Sequence, residues 1–173
     1  KIDVNIKDAI GRSWQCTTVQ FDFNLPERFG LKYIGEDGGQ YQPYMVHRAL
    51  FGSLERFMGI LIEHYAGAFP LWLAPVQVVL IPVADRHIDY ANVVCDRLRR
   101  SNLRVEVDSS SDRMNRKIRT AQINKIPYMF IVGDREIEQE TVSVRRRSGE
   151  DLGSMQMEDI METILTESSS HAI

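Results

Sequence analysis

Four groups of side chains in this sequence combine types and spacings that could do chemistry. Thr18, Gln20 and Asp22 alternate with Val19, Phe21 and Phe23. In an extended strand that parity puts the polar trio on one face and the apolar trio on the other. A carboxamide that donates and accepts, beside a hydroxyl, can orient a small substrate such as an amino acid. The solvated face of a half-buried sheet shows the same alternation. His47 has no second His or Cys nearby, so spacing alone gives it no metal site. Gly52 and Ser53 precede a helical pattern, and Arg56 lies one turn into it, within an otherwise apolar stripe. A guanidinium there needs an anion or an aromatic face. A nucleotide offers both in its phosphate and adenine; a structural ion pair offers the first. Lastly, Thr141, Ser143, Arg145 and Arg147 share one face of a strand. Arginines on an open face can stack on and hydrogen-bond splayed RNA bases, and the same charges can guard an edge strand.

The elements that must hold these groups fall into two parts, divided near Pro70 to Pro75. In the first, Ser13 to Phe23 reads as a strand stopped by Pro26, Glu36 to Gly39 as a turn, and Tyr44 to His47 as a short strand. Leu54, Phe57, Met58, Leu61, Ile62 and Tyr65 then repeat at helical spacing, and Gly67 stops the helix. In the second part, Gln77 to Val83 is a β-branched apolar run that predicts a strand buried on both faces. A helix from Asp85 carries Ile88, Ala91, Val94, Cys95 and Leu98 inward. Leu103 to Val107 is a strand. Asp112 caps a helix whose Ile118 and Ala121 face in and whose bases face out. Strands at Tyr128 to Val132 and Thr141 to Arg147 follow. A last helix buries Met157, Ile160, Met161, Ile164 and Leu165. This βαβαββα order predicts a mixed sheet flanked by helices, so the fold class is α/β. The two domains expected are 1–74 and 75–173.

Composition sets the outer limits. The 173 residues are 43% hydrophobic and carry a net charge of −3, so bulk charge does not single out a nucleic-acid binder. Local charge is more telling: Arg113, Arg116, Lys117, Arg119 and Lys125 have no acid among them, and Arg145 to Arg147 form a second basic group. Segregation of this kind can build a basic face on an acidic protein, and two solvated stretches can look alike in sequence. No run approaches the roughly 18 apolar residues a membrane span needs. Cys16 and Cys95 form no C-x-x-C pair, which fits a reduced, cytoplasmic protein. The polar–apolar alternation of the first seven residues reads as a strand cut from something longer, not as a signal peptide.

The run Trp14-Gln15-Cys16-Thr17-Thr18-Val19-Gln20-Phe21-Asp22-Phe23 closely resembles a segment of threonyl-tRNA synthetases. His47-Arg48-Ala49-Leu50-Phe51-Gly52-Ser53-Leu54-Glu55-Arg56-Phe57 resembles their class II motif 3. Phe69 to Val78 resembles the junction to their anticodon-binding domain, and Ile126 to Met129, Val132 to Asp134 and Asp151 to Met155 extend the likeness across the chain. The resemblance implies the end of a class II antiparallel-sheet catalytic core followed by an α/β anticodon-binding domain. It implies a ligase that joins threonine to tRNA(Thr) through threonyl-adenylate, with ATP and magnesium as substrate, as a homodimer when full length, and with no membrane partner.

Residue by residue, the likeness makes Thr18 and Gln20 the threonine site. Gln15, Ser53 and Arg56 become ATP contacts, with Arg56, Gln20 and Thr18 the catalytic set. Gln15 has the parity of Val19 and Phe21, so reaching the site requires a bulge or a strand end there. Lys1 matches a lysine near the family's active site. His47 is implied as one of three zinc ligands, the other two lying upstream. Glu136, Arg145, Arg119 and Lys125 are implied as anticodon contacts, Lys125 standing where the family often has arginine; Ser111 departs from the family pattern at a position where relatives carry asparagine. Motifs 1 and 2 also lie upstream in the family, so the isolated chain is expected not to aminoacylate. A stand-alone RNA-binding module without catalysis is the alternative; a nucleotide-binding protein of another kind is disfavoured, because no glycine-rich loop follows Gln77 to Val83.

Overall fold

In the computed structural model, which describes residues 1–171, the chain forms two bodies, one spanning Lys1–Ala66 and the other starting at Gly67. The first begins with β1 (Ile2–Lys7) and β2 (Ser13–Asp22). A one-turn helix α1 (Leu25–Arg28), with Pro26 in its first turn, and a small hairpin of β3 (Tyr33–Ile34) and β4 (Gln40–Tyr41) come next. β5 (Met45–Ala49) and α2 (Leu54–Tyr65) complete it. The antiparallel sheet runs β1-β2-β5. Thr18 faces Ala49, Gln20 faces His47 and Asp22 faces Met45 across β2 and β5, so the expected polar face of β2 is real and β5 extends it.

The apolar side of this unit departs from expectation. Along α2, Leu54, Met58 and Ile62 are 61%, 44% and 48% exposed, and Ile60, outside the expected stripe, is the helix's buried residue. Phe21, Phe23, Tyr44 and Val46 are exposed too. One helix and three strands give neither apolar surface a full second layer. The aromatics cluster with one another instead: Phe21 lies 4.7 Å from Phe23 and 5.3 Å from Tyr44 between ring centroids.

The second unit has a core on both sides of its sheet. β6 (Val78–Pro82) leads through α3 (Ile88–Arg100) to β7 (Val105–Val107), and α4 (Met114–Ile123) leads on to β8 (Tyr128–Val132). Then come α5 (Asp134–Glu138), β9 (Thr141–Arg146), β10 (Asp151–Gln156) and α6 (Met157–Ser169). The sheet order is β10-β9-β8-β6-β7, with β6, β7 and β8 parallel and β8, β9 and β10 antiparallel. Every residue of β6 and β8 is buried, as two covered faces require. On one side Val78, Leu80, Phe130, Val142 and Val144 pack with Ala91 and Leu98 of α3 and Ile160 and Ile164 of α6. On the other, Val79, Ile81, Met129 and Ile131 pack with Ile118 and Ala121 of α4.

In the second unit two elements lie outside the expected pattern. β10 reads Asp-Leu-Gly-Ser-Met-Gln, an edge strand with too few apolar residues to signal itself, and α5 is barely a turn long. A third difference concerns α4, whose bases do not all face out. Lys117 is only 5% exposed, and its ammonium donates to the carbonyls of Pro82 at 3.3 Å and Asp108 at 2.9 Å, tying the ends of β6 and β7 together.

The segment 67–75 packs with the second unit. Leu71 and Ala74 are buried. Arg104 donates from Nε to the Ala74 carbonyl and from Nη2 to the Trp72 carbonyl, both at 2.8 Å. The buried Gln77 carboxamide donates to the Leu71 carbonyl at 2.9 Å and accepts from Arg104 N–H at 2.9 Å. Arg147 donates to the Phe69 carbonyl at 2.5 Å. Arg147 is therefore committed to this segment and is not part of an open arginine face.

Candidate functional site

The polar face of the first unit has two ends. At one end Gln20 and His47 stand opposite each other on β2 and β5. His47 Nε2 lies 2.7 Å from Asp22 Oδ2. An ionised carboxylate can only accept, so Nε2 carries the hydrogen in this contact. Asp22 also accepts from the backbone N–H groups of Leu25 and Asn24, at 3.0 and 2.8 Å, as β2 turns into α1. Those backbone bonds, Leu25 first, and His47 hold its carboxyl below the usual carboxylate range.

At the other end the chain solves a parity problem. The pairing of β1 with β2 shifts between Val4 and Asn5, which face Thr17 and Gln15, so Cys16 is an extra residue on β2. This bulge turns Gln15 onto the face of Thr18. The Gln15 carboxamide donates to Thr18 Oγ1 and to Asp3 Oδ1, both at 2.7 Å, and the Thr18 hydroxyl donates to Asp3 Oδ1 at 2.8 Å. Lys1 Nζ closes the group, 3.2 Å from Asp3 Oδ2. The Thr18 hydrogen bond, with the Lys1 ammonium, keeps Asp3 acidic. Asp3 was not singled out from sequence, although the facing register of the two strands would have placed it opposite Thr18.

The helix α2 starts against this bulge. Gly52 has φ +67°, and a Cβ there would sit 3.2 Å from the Cys16 carbonyl oxygen and 3.3 Å from that of Gln15, so any other residue would be strained and crowded there. Ser53 is the N-cap; its hydroxyl accepts from Arg56 N–H at 3.3 Å and donates to Glu55 at 2.8 Å. The Arg56 guanidinium lies over the Trp14 indole, 5.2 Å from its centroid. Among the described residues it makes no ion pair, so the alternative of a structural ion pair is replaced by an aromatic partner. Gln15 and Thr18 thus meet at the bulge, Gly52 sets the start of α2 against its backbone, Arg56 lies over Trp14, and Gln20 and His47 stand further along β2 and β5. Arg56 is exposed, as are Gln20 and His47, so this surface is an open floor, not an enclosed cavity.

The basic groups of the second unit lie more widely. Arg145 is opposite Met129 in the register of β8 and β9, which puts it on the α4 side of the sheet. Its guanidinium pairs with Asp151 of β10 at 2.8 Å. Arg119 is exposed on α4, and Lys125 follows that helix with φ +59°. Glu136, in α5, accepts the Gly133 N–H at 2.9 Å. Asp134 at the start of α5 binds Arg86 at 2.9 and 2.5 Å and the buried His87 at 2.8 Å, and these bonds, Arg86 foremost, drive its carboxyl strongly acidic. Ser111 is exposed in the loop before α4. The four expected contacts make no hydrogen bond or ion pair with one another among the described residues. An open cleft of about 440 Å³ between that loop and α4 is lined by Asp108, Ser110, Asp112, Lys117 and Asn124.

The family model for the anticodon binding domain matches residues 77–167. The chain belongs to that family. Ahead of the anticodon-binding domain, residues 1–65 match the tRNA synthetase class II core domain (G, H, P, S and T). The threonine–tRNA ligase of Sulfurihydrogenibium sp. (strain YO3AOP1) is 55% identical over 164 residues, 95% of this chain and 26% of that protein. The threonine–tRNA ligase of Caldanaerobacter subterraneus subsp. tengcongensis is 53% identical over the whole chain, which is 27% of its length. The chain therefore spans about a quarter of the curated relatives it matches. Among solved structures, the RNA binding domain of threonyl-tRNA synthetase from Cryptosporidium parvum Iowa II superposes with a TM-score of 0.84 at 31% identity, covering 95% of this chain and 42% of that one. Giardia lamblia prolyl-tRNA synthetase in complex with prolyl-adenylate, at 19% identity and a TM-score of 0.71 over 98% of this chain and 38% of that one, shares the fold. No helix among the described residues is long and apolar enough to cross a membrane.

Proposed function

We propose that this chain is the C-terminal part of a threonine–tRNA ligase, in which the first unit, expected from sequence over 1–74, completes the aminoacylation site and the second, expected over 75–173, recognises the anticodon of tRNA(Thr), with 67–74 fastened to the second. The parent protein would activate threonine with ATP and magnesium, pass the threonyl group to tRNA, act as a homodimer and reside in the cytoplasm. The relatives at 53–55% identity support this reading of the chain as a whole. The observation that carries it is the cluster of Lys1, Asp3, Gln15 and Thr18 on the face that also bears Gln20 and His47.

On this reading Thr18 and Gln20 orient threonine with a hydroxyl and a carboxamide, and Gln15 and Ser53 contact the nucleotide. Arg56 supplies a positive charge for phosphate and a planar face for adenine, a combination lysine lacks. His47 fits a metal site: Asp22 fixes its ring through Nε2–H, the outer-shell arrangement that prepares an imidazole to ligate through its other nitrogen. Among the described residues no group of three His, Cys, Asp or Glu could hold a metal, so further ligands would come from outside the chain. When bound, zinc would act as a Lewis acid for the substrate amino and hydroxyl groups, and valine, lacking the hydroxyl, would be rejected. In the second unit Arg145, Arg119 and Lys125 would meet phosphates and bases, and Glu136 would accept from a base.

The test uses this chain and the full-length protein side by side. The chain should bind tRNA(Thr) with a salt-sensitive affinity and show no threonine-dependent ATP turnover. Arg145→Ala should weaken tRNA binding roughly tenfold in both, leaving the full-length enzyme's KM for ATP unchanged. Full tRNA affinity in the Arg145→Ala protein would refute the anticodon assignment.

A further inference from the structure

We infer that Trp14 and Asp8 are positioning residues for Arg56, an inference that rests on the reading of Arg56 as a nucleotide contact. Arg56 lies on an exposed helix face, where a long side chain ordinarily samples many rotamers and loses that freedom on binding a ligand. Among the described residues its guanidinium has one partner, the Trp14 ring, 5.2 Å from the guanidinium carbon. A cation over an indole face is held by the quadrupole of the ring, and its N–H groups stay free around the rim. Such a platform restrains the guanidinium without using the donors that would bind a phosphate. A carboxylate partner would use them.

The indole is itself tethered. Trp14 Nε1–H donates to Asp8 Oδ2 at 2.9 Å. Asp8 is buried, and its carboxylate collects four donors: that indole, Arg12 Nε at 2.6 Å, Arg12 N–H at 2.8 Å and Ile10 N–H at 3.1 Å. Its backbone N–H donates to the Arg12 carbonyl, and its own carbonyl accepts from Gly11 N–H. The whole β1–β2 turn is thus wound around one carboxylate. Arg12 also lies over the indole, at 5.3 Å, with its charge answered by Asp8. The Arg56 charge has no such answer among the described residues. The relay runs from the turn through Asp8 and Trp14 to Arg56, and Trp14 immediately precedes Gln15.

The experiment is ATP–pyrophosphate exchange by the full-length protein, with ATP and threonine varied separately. Trp14→Leu should raise the KM for ATP about five- to tenfold and leave the KM for threonine unchanged, a split that general destabilisation does not produce. Trp14→Phe, which keeps a ring and loses the N–H, should give a smaller rise, and so should Asp8→Asn; these two arms decide if Trp14→Leu does not fold. The double variant Trp14→Leu/Arg56→Ala should be no worse than Arg56→Ala alone. Multiplying effects, or an unchanged KM for ATP in the folded Trp14 variants beside a strong Arg56→Ala defect, would overturn the inference alone. No ATP defect in Arg56→Ala would overturn the nucleotide reading of Arg56 and the inference with it.

Discussion

The two units bury their side chains very differently. From Gly67 onward the chain covers both faces of a five-stranded sheet and fully buries Tyr128, Phe130, Leu80, Ile81, Leu98 and Ile160. In Lys1–Ala66 the buried apolar side chains of the sheet and of α2 are Cys16 and Ile60, while Phe21, Phe23, Val46, Leu54 and Ile62 meet solvent. The first unit holds its shape by polar means: a turn wound on Asp8, a hydroxyl–carboxamide–carboxylate cluster at Asp3, and a carboxylate–imidazole pair at Asp22. The second holds its shape by packing. Hydrophobic burial scales with covered area and tolerates pH; networks of carboxylates do not. The units should therefore respond to different insults.

The largest contrast should come from core truncation. Phe130→Ala should cost about 3–5 kcal/mol in the second unit, read by denaturant unfolding. Acid should act next, and on the first unit. Asp8 is pushed up by burial but pulled down more by Trp14, Arg12 and the turn amides, to a pKa of about 2 against an ordinary 3.8. A carboxyl depressed on folding gives stability that is complete above the ordinary value and is lost as pH falls toward the folded one. Trp14 fluorescence, in a Trp72→Phe background, should hold down to about pH 4 and change as pH approaches about 2. Asp8→Asn should remove that transition; an unchanged transition would show that Asp8 does not carry it. A smaller effect is expected at the helix start, where Ser53→Ala removes the cap of α2 and should cost about 1 kcal/mol. The smallest belongs to Leu54→Ala, which sits on an exposed face and should stay within about 0.5 kcal/mol. A Leu54→Ala cost as large as that of Phe130→Ala would break the comparison.

The second unit was largely legible in sequence because a β-branched run covered on both faces has little else to be. Gln77 to Val83 and Tyr128 to Val132 gave the two central strands, and α3 followed from its inward stripe. β10 escaped because Asp151, Gly153 and Ser154 carry no apolar alternation. Lys117 was not legible as buried because side-chain charge suggests solvent, and only the fold brings two strand-end carbonyls to its ammonium. In the first unit the polar face of β2 could be read directly from alternation. The stripe of α2 could not be placed, because periodicity tells which residues share a side of a helix and not whether anything lies against it. The bulge at Cys16 was legible only as a need, since Gln15 had the wrong parity for the face it was expected to join. Asp8, ahead of Gly11, carries the signature of a side chain folding back onto its own backbone, and that signal would have marked the turn.

The bonds that fasten 67–75 bear on where the protein can be cut. A fragment opening at Val76 deletes the carbonyls of Phe69, Leu71, Trp72 and Ala74. It would leave two guanidiniums and a sequestered amide searching for replacement acceptors, and it would uncover the apolar ground under Leu71. A fragment opening at Gly67 carries its own fastenings with it, so the natural seam for excising the second unit lies ahead of the Phe69-Pro70 pair, inside what looks by sequence like the tail of its neighbour.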